Sequence, residues 1–322
     1  MSIHHVTAIA GPPQRNLDFY AATMGLRLVK LTVNFDDPGT YHLYFGDETG
    51  RPGSILTFFP WPDGQRGRQG TGQVGAVSLA IPPASLGWWI ERLLRHGIRY
   101  DGPVRRFDEQ VLAFSDPDGL LLELVATPRV ERVEPWRDGP VPAEHAVRGI
   151  HGAAIWEDGD QGTAEFPTRF MGFHAVGQEG NRLRFESAAE GAGTVVDLRR
   201  VPGFWSGAEG VGTVHHVAFR APSGEAQLER RAEIEAAGFG ITPVVDRQYF
   251  QSVYFREPGG VLFEIATDPP GFTLDEAAAE LGTHLKLPSR YEPMRERIER
   301  QLPPVRLPHA EHGTPAAVEE GS

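Results

Sequence analysis

Repetition is the feature that most constrains this chain. Four stretches follow one plan: a strand, a helix, a glycine stop, then several more strands. The first runs from His4 to about residue 61, with a helix expected over 16–24, Asn16 as its N-cap and Gly25 as its stop. The second spans about 75–127, with a helix near 86–96 and Gly97 after it. The third runs from about 149 to 200, with a helix near 163–171 and Gly172. The fourth spans 213–268, with a helix near 226–237 and Gly238. A glycine just past a helix takes the left-handed conformation without a Cβ clash, which explains the shared stop.

The closing strands repeat as well. DPDGLLLELVAT (116–127) and EPGGVLFEIATD (257–268) align without a gap, each carrying one acid, Glu123 and Glu264, in an apolar strand. Asp197 takes that place in the third unit and Thr57 in the first. Each unit is therefore a βαβββ module. The expected fold is α+β, with four modules paired into two incomplete barrels and a C-terminal extension. The segments read as an N-terminal two-module domain (1–148), a C-terminal two-module domain (149–270), an extension (271–302) with a helix near 294–302, and a disordered tail (303–322).

Two of the opening strands begin with a histidine doublet, HHVT (4–7) and HHVAF (215–219). Neighbouring strand residues face opposite sides, so one imidazole of each doublet is expected in a given pocket. Val217 and Phe219 share a face with His215 and belong under the helix, which leaves His216 on the concave side. His5 and Thr7 take the same side of the first strand. Glu264 alternates with Val261, Phe263 and Ile265, so it also faces inward. A carboxylate in an apolar strand is costly unless it is paired or bound to metal. Two imidazoles and a carboxylate make the facial set that suits non-haem Fe(II), although such ligands also take zinc or manganese.

A single strand histidine or glutamate is usually a packed or surface residue; the weight lies in their equivalent places in repeated units. A second grouping competes. His151, Glu123 and Asp197 line up as another pocket, or His151 joins His216 and Glu264 if the third and fourth modules share a barrel. Spacing leaves the pairing of modules open. The plainer reading is that Glu123 and Asp197 are relics of duplication held by arginines, with Arg99, Arg105, Arg106, Arg199 and Arg200 nearby in sequence.

Composition narrows the partners. A net charge of −12 argues against nucleic acid and against anionic membrane surfaces. The chain has no apolar run of membrane-spanning length and no signal-peptide pattern, so a cytoplasmic location is expected. The absence of cysteine excludes disulfides, thiolate metal ligands and thiol nucleophiles. Trp88 and Trp89 are expected to pack the second helix or an interface, which leaves homo-oligomerisation open.

With these residues in view, the chain resembles the vicinal-oxygen-chelate superfamily of glyoxalase I, bleomycin-resistance proteins and extradiol dioxygenases. It is most similar to the ring-cleaving hydroquinone 1,2-dioxygenases. The similarity runs from about residue 4 to 287 and rests on HHVT, YHLYFGDETGRPG (41–53), SLGWWIERLLRHGI (85–98), QEGNR (178–182), HHVAF, RQYFQSVYFREPGGVLFE (247–264) and GFTLDEAAAELG (271–282). The resemblance implies iron held by His5, His216 and Glu264, with Mn or Zn as substitutes. It implies pairing of the first module with the fourth, and it argues against His151 as a ligand. Supporting catalytic roles fall on His4, Thr7, His215, Arg247 and Tyr254. QEGNR departs slightly from the family's EEGN wording, at no catalytic position. His42, on a strand of the first module, lies within reach of the same pocket.

The expected activity is dioxygen-dependent cleavage of a hydroquinone or related dihydroxybenzene, with a small aromatic substrate and O2 as partners. Two alternatives stand beside it. A glyoxalase-like lyase or isomerase would use a redox-inert metal and a fourth, carboxylate ligand, where this chain has Thr57. A non-enzymatic ligand-sequestering protein would leave the two imidazoles and Glu264 unexplained.

Overall fold

The computed structural model describes residues 1–159 and 162–308. Module one comprises β1 (Ile3–Ala10), α1 (Pro13–Leu17), β2 (Arg27–Val33), β3 (Tyr41–Gly46) and β4 (Ile55–Pro60). Module two comprises β5 (Gln73–Ile81), α2 (Leu86–Arg95), β6 (Tyr100–Arg106), β7 (Glu109–Ser115) and β8 (Leu121–Ala126). Module three comprises β9 (Ile150–Glu157), α3 (Phe166–Phe170), β10 (Phe173–Glu179), β11 (Arg182–Ser187) and β12 (Val195–Arg200). Module four comprises β13 (Val214–Ala221), α4 (Gly224–Ala236), β14 (Val245–Asp246), β15 (Phe250–Arg256) and β16 (Leu262–Pro270).

These strands form two eight-stranded sheets in the orders β14-β15-β16-β13-β1-β4-β3-β2 and β10-β11-β12-β9-β5-β8-β7-β6. The expected α+β class of paired modules is what the chain adopts. The first sheet joins modules four and one; the second joins three and two. In each, the two opening strands run antiparallel at the centre, β1 with β13 and β5 with β9. The boundary at 148/149 therefore separates modules but not sheets. β5 and β9 pair across it, and the outer modules meet around the inner pair.

Register confirms the alignment of the closing strands. Glu264 lies opposite Ala218, Glu123 opposite Ser78, Asp197 opposite Ala154 and Thr57 opposite Thr7. Each central strand pair carries two bulges. Ile3 pairs with Phe219 and His5 with Ala218, which leaves His4 as the extra residue; Thr7 pairs with His216 and Ala8 with Val214, which leaves His215. The second sheet leaves out Gly75 and His151 at the same two places. A bulge bends the strand and re-aims a side chain, and strict alternation fails there.

The helices follow the expected order with different ends. α1 starts at Pro13, because proline pre-sets the first helical φ, and a π-helical turn over Asp18–Thr23 continues it. Asn16 is consequently inside the helix rather than its cap, buried with neither amide atom partnered. The four stop glycines all have positive φ, between 68° and 90°. The tryptophans pack α2: Trp89 is buried and donates from Nε1 to the His145 carbonyl, and Trp88 stacks on the His145 ring.

The extension braces module one. Fully buried Lys30 pairs with Asp275 and Glu276. Arg290 and Tyr291 both donate to the Phe35 carbonyl. Its helix is α5 (Arg295–Gln301). The expected disordered tail is corrected at its start: Val305 and Leu307 pack against the core, and Pro303 accepts from Tyr41 Oη. The rest of it, 309–322, lies outside the described residues. Among the described residues, no helix is long and apolar enough to cross a membrane.

Candidate metal centre

The centre forms on the concave face of the first sheet, where β1 and β13 lie side by side. His5, His216 and Glu264 each offer one donor atom, and these atoms lie within 4.8 Å of one another. His5 Nε2 is 3.2 Å from His216 Nε2, and Glu264 Oε2 lies 2.9 Å from His216 Nε2 and 3.4 Å from His5 Nε2. Glu264 is fully buried, yet Oε2 accepts no well-formed hydrogen bond. Its other oxygen accepts from Ser252 Oγ at 2.5 Å. Three electron-rich atoms turned towards one another, with no donor between them, fit a cation.

The charge states agree with that reading. Burial drives the His216 imidazole down to about 4. Burial alone would favour a neutral Glu264, but His5 and His216 beside it hold the carboxyl well below its ordinary range. Neutral imidazoles and an ionised carboxylate are the forms a metal requires.

The doublets now have a physical purpose. His4 Nδ1 lies 3.0 Å from His5 Nδ1, and His215 Nδ1 lies 2.7 Å from His216 Nδ1. An imidazole that offers Nε2 to a metal carries its proton on Nδ1, so each bulged histidine is placed to accept that proton and so to set its neighbour's tautomer. Burial lowers His4 to about 3 and lowers His215 as well, which keeps both neutral. Alternation alone would send the two rings of a doublet to opposite faces. The bulges correct this for His215, which lines the cavity together with His216, while His4 sits behind His5 against Phe250.

Thr7, Arg247 and Tyr254 line the same cavity, which holds about 120 Å³ and is walled by Phe35, Phe59, Trp61 and Phe250. Arg247 donates from Nε to Tyr254 Oη at 3.0 Å and pairs with Asp36 at 2.9 Å. Burial raises the Tyr254 phenol, and the Glu264 charge adds to the shift, so it keeps its proton. His42 also faces the cavity, with Tyr44 and Asn34. Asn34 and Asp36 lie outside every quoted motif, and Tyr44 and Ser252 lie within motifs that gave them no role; only the period-2 relation of Tyr44 to His42 pointed inward.

The second sheet is organised differently. At the places equivalent to His5 and His216 it carries Ala76 and Gly152. A Cβ on Gly152 would come within 2.4 Å of the Val195 carbonyl oxygen, so no side chain fits. Arg184 occupies the interior, donating to Glu109 and to both oxygens of Asp197. Arg182 joins Asp197, and Arg106 with Ser78 holds Glu123. His151 donates from Nε2 to Glu109 at 2.8 Å and lies in the other sheet from His216 and Glu264. The reading of Glu123 and Asp197 as acids held by arginines describes this face, with Arg182 and Arg184 in place of most of the arginines expected. His151, Glu123 and Asp197 do not form a metal cluster among the described residues.

Comparison with known proteins agrees with the fold. Residues 2–124 and 149–265 match the family described as "Glyoxalase/Bleomycin resistance protein/Dioxygenase superfamily". The chain belongs to that superfamily. MhqO of Bacillus subtilis (strain 168), assigned as a ring-cleaving dioxygenase, is 48% identical over 95% of this chain and 97% of its own. Chlorohydroquinone/hydroquinone 1,2-dioxygenase of Sphingobium indicum is 35% identical over 93% of this chain and 95% of its own. A crystal structure of a Bacillus subtilis protein assigned as a dioxygenase superposes with a TM-score of 0.92 at 47% identity, covering 95% of this chain and 98% of that one. Glyoxalase I from Zea mays shares the fold at 15% identity, with a TM-score of 0.63 over 88% of this chain and 97% of its own.

Proposed function

We propose that this chain is an Fe(II)-dependent ring-cleaving dioxygenase whose substrate is a hydroquinone or related dihydroxybenzene. The observation that carries the reading is the buried His5–His216–Glu264 set, opening into a cavity walled by aromatic side chains. Full-length relatives named as ring-cleaving dioxygenases, one of them for hydroquinones, support it.

His5, His216 and Glu264 would hold the iron, which supplies the one-electron chemistry that dioxygen needs and a Lewis acid for a phenol oxygen. The remaining steps fall to the protein. Phe35, Phe59, Trp61 and Phe250 bind the ring and exclude water, which strengthens every polar contact within the cavity. His215 is neutral and lines the cavity; with Nδ1 occupied by His216, it presents its Nε2–H to a substrate oxygen. Tyr254 retains its own proton and donates it as a hydrogen bond to developing negative charge on oxygen. Arg247 positions Tyr254 and adds a fixed positive charge. Thr7 supplies a hydroxyl beside His216, its cross-strand neighbour.

A lyase of the glyoxalase kind calls for a second carboxylate ligand. Thr57 stands at that place, and its hydroxyl is engaged with Thr7 and His42. Oxygen uptake by the aerobic, Fe(II)-reconstituted protein with hydroquinone tests the proposal. Consumption of O2 with loss of the ring's ultraviolet absorption is the expected result. Turnover restricted to aldehyde–thiol adducts, without O2 and with zinc or nickel, would overturn it.

A further inference from the structure

A row of polar side chains crosses the concave face next to the metal ligands. Register sets Tyr44 opposite Thr57, Thr57 opposite Thr7, and Thr7 opposite His216. His42 reaches into the row from two residues before Tyr44. The contacts are continuous: Tyr44 Oη to His42 Nδ1 at 2.9 Å, His42 Nε2 to Thr57 Oγ1 at 2.8 Å, and Thr57 Oγ1 to Thr7 Oγ1 at 3.0 Å. Tyr44, Thr57 and Thr7 are all buried.

We infer that Tyr44, His42 and Thr57 form a one-way hydrogen-bond chain that obliges the Thr7 hydroxyl to donate into the cavity. The direction follows from counting protons. The Tyr44 phenol has His42 Nδ1 as its one hydrogen-bond partner among the described residues. Were it to accept from Nδ1–H, its own proton would be left without an acceptor among the described residues, which is costly at a buried hydroxyl. Tyr44 therefore donates, Nδ1 accepts, and neutral His42 carries its proton on Nε2. That proton goes to Thr57 Oγ1. Thr57 then turns its own hydrogen to Thr7 Oγ1, its other neighbour. Thr7 is left with a lone pair occupied and a hydrogen to give, at the edge of the cavity. Burial pushes His42 well below the ordinary histidine range, in keeping with a neutral ring.

The consequence rests on the dioxygenase reading. A donor fixed in advance favours a substrate oxygen that has lost its proton over one that still carries it, because the hydroxyl has no freedom to turn and accept. Tyr44, His42 and Thr57 are thus positioning residues acting through Thr7. They also give a use to the place where the other modules carry an acid: a carboxylate at 57 accepts only, and would draw the Thr7 hydrogen to itself and away from the cavity.

The tautomer can be read in the metal-free protein, before any turnover. Long-range proton–nitrogen NMR correlations of histidine-labelled wild type should show His42 protonated on Nε2. Tyr44→Phe should release it to a mixture of tautomers. In the Fe(II)-loaded protein, Thr57→Val should lower kcat for hydroquinone roughly ten- to a hundredfold, with KM and metal content little changed. Thr57→Ser should restore most of it, which a purely structural role for the methyl group would not produce. An Nδ1-protonated or cationic His42 in wild type, or a Thr57→Val protein with wild-type kcat, overturns the inference. If wild type shows the Nε2 tautomer but no ring cleavage, the dioxygenase reading fails and the chain's direction stands.

Discussion

The two sheets share one plan, one pair of bulges and one row of closing-strand acids, yet they neutralise buried carboxylates by different means. In the first, Glu264 faces two imidazoles and keeps an oxygen without a hydrogen-bond donor. In the second, Glu109, Glu123 and Asp197 are each met by guanidinium groups, and the places of His5 and His216 are taken by Ala76 and Gly152. A guanidinium supplies its positive charge permanently and fills the space. An imidazole pair leaves the charge to be brought from outside. The difference teaches that one strand position can hold its buried acid in two ways, and that the group facing the acid separates a brace from a candidate metal centre.

That contrast can be broken most severely at the ligands. His5→Ala, His216→Ala and Glu264→Ala should each lose metal and activity by on the order of a hundredfold or more, as judged by elemental analysis and oxygen uptake. Arg184→Ala should leave metal content intact but destabilise the fold by up to about 3–5 kcal/mol in urea unfolding, since it removes the buried guanidinium that Glu109 and Asp197 share. His151→Ala should keep both metal and activity. Ser252→Ala removes the hydroxyl that orients Glu264 and should weaken metal binding roughly ten- to a hundredfold without changing the ligand set.

The most gradual effect lies where the sheets meet. Burial, with Glu257 nearby, raises Glu157 to about 8. This acid therefore holds its proton more tightly in the folded chain than in the unfolded one. Its contribution to stability is full below the ordinary carboxylate range and is lost as pH rises through about 8. Wild-type stability should fall across that window by at most about 1.4 kcal/mol per pH unit, and Glu157→Gln should flatten the slope. An unchanged slope in the variant would show that no such proton is held.

Much of the centre was legible because repetition multiplies weak signals. One histidine in a strand means little; His5 and His216 at the same place in two modules, with Glu264 at a place also held by Glu123 and Asp197, mean more. What stayed hidden depends on contacts across strands. Arg184 sits 13 residues from Asp197 but 75 from Glu109, and no local pattern links all three. The bulges at His4 and His215 add a residue to one strand relative to its partner, a mismatch visible only once β1 and β13 are paired. Asn16 has the composition of a helix cap, but Pro13 begins the helix before it. The segment 303–308 reads as tail because its polar and proline content hides three anchors, at Pro303, Val305 and Leu307.

The nesting of the modules has a bearing on how the chain is made. Modules two and three are contiguous and can close upon themselves as they leave the ribosome. β1 must wait, unpaired on its far side, until β13 emerges more than two hundred residues later, the separation of His5 from His216 being 211. Long-range pairing of this kind is slow to form. The reactive half of the molecule is therefore the last to be completed during synthesis, and a nascent chain cut short before module four holds a finished brace around an absent catalyst.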